Sequence, residues 1–142
     1  MKRRRYKKGQ SMVELALVFP FFLLIIVGGI IDFGFIFYNF LSLQQIANDT
    51  AQRGAEREET STDIIEHGNA LKPSWWTGSY SVQPPEWEDL TSGGRILKVL
   101  VTYDCPTYTP FYQTLFSATS GNPTMKLSAM AAYKIPENIK DR

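Results

Sequence analysis

Residues 9–32 read GQSMVELALVFPFFLLIIVGGIID, an apolar run with a carboxylate at each end. Nothing from Leu15 to Ile31 is charged, while Glu14 and Asp32 flank the run. A helix needs about 20 mainly apolar residues to cross a bilayer, and the apolar character continues to residue 40. The sequence therefore predicts a transmembrane helix over residues 10–40.

Charge on either side of this run predicts its orientation. Residues 1–9 hold six of the 15 basic residues and none of the 14 acidic ones, so the rest of the chain carries a formal charge of −5. Flanks rich in Lys and Arg stay in the cytoplasm. We expect a single-pass protein of the cytoplasmic (inner) membrane, with a cytoplasmic N-terminus and an extracytoplasmic domain over residues 41–142.

The run does not have the form of a cleaved secretory signal. Such signals have an apolar core of about 7 to 15 residues and end at small residues of the Ala-x-Ala type. Here Gly28 and Gly29 are followed by two isoleucines and Asp32. We therefore expect the segment to remain in the protein.

The two flanking carboxylates lie on one side of the predicted helix. Glu14 and Asp32 are 18 residues apart, which is five helical turns and about 27 Å of rise. Each acid either extends into the headgroup layer or contacts another subunit. Gly28 and Gly29 permit close approach of another helix and are the predicted site of helix–helix packing.

The order of a basic leader, Gly9, Glu14 and an apolar helix resembles the processing site of type IV pilin-like proteins. In those proteins a prepilin peptidase cuts after the glycine, and the glutamate becomes the fifth residue of the mature chain. The resemblance implies cleavage between Gly9 and Gln10, so that residues 1–9 form a removed leader. The Gly and Glu spacing is specific only in this context of leader and helix.

Further segments narrow the resemblance to the TadE-like proteins of tight-adherence (Flp) pili. The segments are residues 9–20, 31–34, 37–38, the Ala-rich stretch to Ala55, and more diffusely 96–103, 108–112 and 127–132. The major fibre subunit of such pili is shorter and usually has Tyr after its Glu, whereas Leu15 follows Glu14 here. The resemblance implies a minor pilin or pseudopilin that acts with other pilins and the pilus assembly platform in cell adhesion or secretion.

Assembly is the mechanism that the resemblance implies for these residues. Removal of the leader leaves an ammonium on Gln10, which can pair with Glu14 of a neighbouring subunit. Two such charges about 4 Å apart attract by roughly 4 kcal/mol at an effective dielectric of 20, before desolvation. An unpaired charge in a buried bundle costs about 3 to 5 kcal/mol. We therefore predict that Glu14, and with it Asp32, sets the register between subunits.

Beyond the membrane the helix is predicted to continue as an amphipathic helix to about Glu58. Its apolar side is predicted from Phe33, Phe37, Phe40, Leu43, Ala47, Ala51 and Ala55, and its polar side from Asn39, Ser42, Gln45, Asn48, Asp49, Gln52, Arg53 and Glu56. A second helix is predicted to begin at an Asp63 cap, and strands over 80–83, 96–103 and 124–133. The predicted fold is α+β and pilin-like, with the long helix packed on a small antiparallel sheet.

The sequence does not indicate an enzyme or a cofactor. It contains one His, one Cys and no Gly-rich phosphate loop. A dyad of Cys105 and His67 lacks any local signature, and a metal site needs three or four convergent ligands. The basic leader beside a membrane segment is topogenic rather than a nucleic-acid site. Membrane lipid, the prepilin peptidase and other pilins are the expected partners.

Two features leave alternatives open. Cys105 is either buried and inert or paired with another chain. The aromatic residues Trp75, Trp76, Tyr80 and Trp87 either complete a small core or bind sugars or a membrane surface. The alternative function that follows is an unprocessed single-pass anchor for an extracytoplasmic binding domain, in which these residues carry the activity.

Overall fold

One helix of 52 residues, α1 (Tyr6–Arg57), is the longest element of the described chain. The computed structural model describes residues 6–91 and 93–135, with side chains from Gln10 onward, so residues 1–5 of the predicted leader lie outside the described residues. The helix continues through Pro20. By length and composition α1 is able to cross a membrane, and most of its apolar side chains up to Ile31 are exposed.

The end of α1 and the start of α2 (Ser61–Ala70) are defined by local chain geometry. After Arg57, Glu58 adopts a left-handed conformation with φ 49°. Thr60 then caps α2, because its side chain accepts a hydrogen bond from the backbone N–H of Asp63. The predicted cap at Asp63 is therefore wrong by three residues: Asp63 is the third residue of the helix rather than its cap.

An antiparallel sheet packs along the C-terminal part of α1. Its strands are β1 (Tyr80–Val82), β2 (Glu86–Asp89), β3 (Arg95–Pro106) and β4 (Thr124–Ile135), and α3 (Pro110–Ser120) lies between the last two. β4 pairs with β3 over the full length of both strands. β1 and β2 share the other edge of β3, end to end. β2 and α3 were not predicted from the sequence.

The core lies between one face of this sheet and α1. Alternate residues of β3 and β4 are buried, as the period of a strand requires, and they meet a stripe of alanines on the helix. The buried residues include Leu97, Val99, Val101, Tyr103, Cys105, Leu127, Ala129, Ala131 and Ile135 of these strands, with Leu43, Ala47, Ala51 and Ala55 of α1. The predicted α+β architecture, a long helix followed by a small antiparallel sheet, is confirmed.

The buried side of α1 differs from the predicted one near the apolar run. Asn39, expected on the polar side, is 3% exposed, whereas Phe33 and Phe37 are 48% and 63% exposed. Ile36 and Leu43 are buried on the same side as Asn39. The prediction failed because hydrophobic periodicity identifies the core side only where the outer side faces water.

The direction of β3 determines where α3 lies. A Cβ atom at Gly54 would come within 2.9 Å of Leu97, near the start of β3, while Cys105 at its end contacts Asn39. The strand therefore runs back along α1 toward the apolar run. The chain leaves β3 at the end of the sheet nearest the apolar run, and α3 is formed there.

Candidate assembly and anchoring site

Glu14 lies exposed on the N-terminal part of α1. Its Oε1 accepts a hydrogen bond from Gln10 Nε2 at 3.4 Å, one helical turn away. Among the side chains that the structure describes, no cationic group forms an ion pair with Glu14. The bond between Gly9 and Gln10 lies within the first turns of the helix.

Glu14 and Asp32 lie on one side of α1, and α3 covers only part of that side. Spacings of three and four residues place on it Glu14, Val18, Phe21, Ile25, Gly28 and Asp32. The first three are exposed, Ile25 is half-buried, and the last two are buried. The half nearest the N-terminus is thus a free helix surface that ends in a carboxylate.

Gly28 and Gly29 lie against the start of α3. A Cβ atom added to Gly28 would lie 3.4 Å from the side chain of Thr109, and one added to Gly29 would lie 2.6 Å from the hydroxyl of Tyr112. The two glycines therefore allow α3 to approach α1 closely, as small residues do between membrane helices. The helix that the structure places against this pair belongs to the same chain.

Asp32 is held inside the protein by the N-terminus of α3. It is 1% exposed, and its carboxylate accepts hydrogen bonds from the backbone N–H of Tyr108 at 2.8 Å, from the N–H of Thr109 at 3.2 Å and from the Thr109 hydroxyl. Thr109 is the N-cap residue of α3. A negative charge at this position is stabilised by the positive end of the helix dipole. Asp32 therefore caps, from another helix, a segment 76 residues further along the chain.

Aromatic contacts fix α3 to the same part of α1. The Tyr112 hydroxyl donates to the backbone oxygen of Ile25 at 3.4 Å. Ring centroids are 5.6 Å apart between Phe33 and Tyr112 and 5.3 Å apart between Phe35 and Tyr108. α3 is thereby positioned at the level of residues 25–35 of α1.

A second buried polar cluster ties the sheet to α1 at Asn39. Trp76 Nε1 donates to Asn39 Oδ1 at 2.8 Å, and Asn39 Nδ2 donates to Cys105 Sγ at 3.3 Å. The Trp76 ring stacks on Tyr103, with centroids 4.1 Å apart and planes 14° apart. Each polar atom of the Asn39 side chain thus has a partner, as burial requires.

Cys105 is fully buried beside this cluster. Burial raises the pKa of its thiol, and the hydrogen bond from Asn39 opposes that rise only in part. A buried thiol with a raised pKa reacts slowly, because the thiolate is the reactive form. The position of Cys105 thus fits the buried, inert alternative and does not present its sulfur to another chain.

His67 and Cys105 do not form a dyad. His67 contacts Arg53 Nη1 through Nδ1 at 2.9 Å and Asp49 Oδ2 through Nε2 at 2.9 Å. Because arginine only donates, Nδ1 accepts and Nε2 carries the hydrogen. These contacts join α2 to α1 about ten residues, or about 15 Å along the helix, from the Asn39 that contacts Cys105.

The four aromatic residues considered as a possible binding patch, Trp75, Trp76, Tyr80 and Trp87, lie partly in the core and partly on the surface. Trp76 is 3% exposed, and the half-buried Tyr80 donates its hydroxyl to the backbone oxygen of Gly68 at 2.6 Å. Trp75 and Trp87 are 59% and 38% exposed. The four residues therefore form no single surface patch.

Sequence reasoning missed α3 and the residues that hold it. Two signals for it were present. Thr109 followed by Pro110 has the form of an N-cap and a first helical residue. The 21 residues from Cys105 to Met125 contain no charge. Neither signal indicates that α3 would contact Asp32, because that residue of α1 lies 76 positions before Tyr108 in the sequence.

Comparison with known proteins identifies one relationship. Residues 9–55 match the family model described as TadE-like protein. The match contains Glu14, the glycine pair and Asp32, and it confirms the predicted resemblance over this segment. The segments after Ala55 lie outside the matched residues. Neither a search of curated proteins nor a search of solved structures gave a match.

Proposed function

We propose, from the TadE-like sequence of α1, that this chain is a minor pilin or pseudopilin that takes part in assembly of a tight-adherence pilus or a related secretion apparatus. The match over residues 9–55 supports involvement in such a pilus. In this proposal α1 anchors the protein in the cytoplasmic membrane, and the sheet lies on the extracytoplasmic side.

The exposed carboxylate of Glu14 is the observation that carries this proposal. An ionised group on a lipid-facing helix is costly unless it finds a partner, and Asp32, by contrast, has partners within its own chain. Cleavage by the prepilin peptidase after Gly9 would place an ammonium on Gln10. Pairing of that ammonium with Glu14 of a neighbour favours one stagger of adjacent helices over all others.

Asp32 has a different role in this proposal from the one that the sequence suggested. Its hydrogen bonds to Tyr108 and Thr109 explain its burial without a second subunit. We therefore assign subunit register to Glu14 and the positioning of α3 to Asp32.

Processing is tested by the mass of the mature N-terminus. We expect protein from cells that contain the prepilin peptidase to begin at Gln10, and protein from cells without it to retain residues 1–9. A Gly9→Leu variant is the matched control and should stay uncut in both. An intact leader in peptidase-containing cells would instead favour the alternative, an unprocessed anchor for a binding domain.

Replacing Glu14 tests its role in register. Glu14→Gln should leave membrane insertion unchanged but reduce recovery of the chain with other pilus proteins by about a hundredfold. Loss of one partner of a buried pair costs about 3 kcal/mol or more, and each 1.4 kcal/mol is a factor of ten. Glu14→Asp keeps the charge and should retain most of the association. Recovery of the glutamine variant at the normal level would contradict the assigned role.

A further inference from the structure

We propose that α3 is a membrane-interface helix whose exposed apolar side inserts into the lipid leaflet beside α1. Phe111 and Leu115 form this side of α3, and Tyr108 lies just before the helix; they are 44%, 45% and 51% exposed. The inference rests on the membrane placement of α1 in the proposed function, but not on pilus assembly.

The composition of this end of the domain suits a lipid surface. No residue between Asp104 and Lys126 is charged, and these two residues are register partners across β3 and β4. The last charged residue of β3 and the first charged residue of β4 therefore lie side by side, and the end of the sheet beyond them is uncharged. Phe111 and Leu115 are four residues apart and share one side of α3, while Ser117 lies on a different side. A helix with one apolar side lies in the plane of an interface.

The depth at which α3 is held agrees with that location. The Tyr112 hydroxyl reaches the backbone oxygen of Ile25, which is six residues before Ile31, the end of the uncharged run. Six helical residues span about 9 Å. Interfacial helices bury their apolar side by about 5 to 10 Å, so with the lipid boundary placed at Asp32, rather than at residue 40 where the apolar stretch ends, α3 lies at a depth typical of this class.

Exposed aromatic rings on α1 continue the same surface. Phe33 and Phe35, whose rings contact Tyr112 and Tyr108, are 48% and 51% exposed. Aromatic side chains concentrate where a membrane meets water, and an apolar patch of this kind indicates a membrane or protein contact. Because the patch is continuous with the lipid-facing surface of α1, lipid is the occupant that we infer.

Hydrogen bonds join the two ends of the segment between β3 and β4 that contains α3. Both the backbone N–H and the hydroxyl of Thr107 donate to the backbone oxygen of Pro123, at 3.1 and 3.0 Å. Gln113 Nε2 donates to the oxygen of Thr107 at 2.9 Å. At the other end Gly121, with φ 78°, ends the helix in the left-handed conformation. α3 is thus presented to the bilayer as a fixed unit at the end of the sheet.

Spin labels on single cysteines test the inference in the full chain reconstituted in phosphatidylcholine vesicles. Labels replace Phe111 or Leu115 on the apolar side, Ser117 on the polar side, and Leu24 on α1, which is 65% exposed. Collision with oxygen, which dissolves in lipid, is compared with collision with a water-soluble nickel complex. The buried Cys105 should stay unlabelled, which is checked on the unsubstituted chain.

We expect the labels at positions 111 and 115 to favour oxygen over nickel as strongly as the label at position 24, and the label at position 117 to favour nickel. Nickel access at 111 and 115 with a lipid-like signal at 24 would overturn the inference while leaving the anchor intact. A label at 24 that also favours nickel would overturn the membrane placement itself. Spin–spin broadening at 111 and 115 that unlabelled protein dilutes away would show a second copy on this side, and would also overturn the inference.

Discussion

Asp32→Ala is expected to release α3 from α1. The substitution removes the acceptor of the Tyr108 and Thr109 backbone N–H groups, and a buried donor without a partner costs about 1 to 3 kcal/mol. Two such donors together should cost about 3 kcal/mol or more, since hydrogen bonds to a carboxylate are the stronger kind. Amide hydrogen exchange of segment 106–112, measured by mass spectrometry, should then increase by about a hundredfold.

Thr109→Val is the matched control for this substitution. It removes the hydroxyl that donates to Asp32 but keeps both backbone N–H bonds. The expected cost is about 1 kcal/mol, so exchange should rise by less than tenfold. If Asp32→Ala leaves exchange in segment 106–112 unchanged but reduces assembly, Asp32 acts between subunits and our assignment of it to α3 is wrong.

Trp76→Ala is expected to destabilise the domain formed by the sheet and the C-terminal part of α1 by about 3 to 5 kcal/mol, the range for large aromatic residues in a core. Trp76 is 3% exposed, stacks on Tyr103 and donates to Asn39. The loss is a large part of the 5 to 15 kcal/mol that stabilises typical proteins. Denaturant unfolding of the full chain in detergent micelles measures it.

The adjacent tryptophan provides a control at almost the same sequence position. Trp75 is 59% exposed, and a surface substitution such as Trp75→Ala usually changes stability by no more than about 0.5 kcal/mol. Trp76→Phe should fall between the two, because a ring remains but Asn39 Oδ1 loses its donor. Equal losses for the two alanine variants would show that Trp76 is not the residue that joins the sheet to α1.

Local patterns were sufficient for much of the framework. The uncharged run predicted the long helix that α1 forms, and alternation predicted β3 and β4. The alanines at positions 47, 51 and 55 were correctly expected to pack inside the protein. These predictions held because period and composition within one segment determine each element.

The missed strand β2 and the wrong placement of Asn39 both arise from contacts between different segments of the chain. β2 has the sequence Glu-Trp-Glu-Asp and is exposed throughout, so pairing with β3 rather than its own hydrophobic pattern makes it a strand. Asn39 was expected to face water, but Trp76 and Cys105 surround it in the fold. The partners of Asn39 lie 37 and 66 residues further along the chain, whereas β2 pairs with the strand that follows it after a short turn. In both cases the contact is made by another segment, which hydrophobic periodicity within one segment does not report.

The sequence by itself determined that one apolar helix leads the chain, that carboxylates lie at both ends of its uncharged run, and that a small antiparallel sheet follows. Only the tertiary structure distinguished the two carboxylates. Glu14 stays exposed with Gln10 as its neighbour, whereas Asp32 is enclosed by the N-terminus of α3. The reason is physical: a charge near lipid is stabilised by whichever donors the fold brings to it. β3 returns along α1 and delivers those donors to Asp32, far from Glu14.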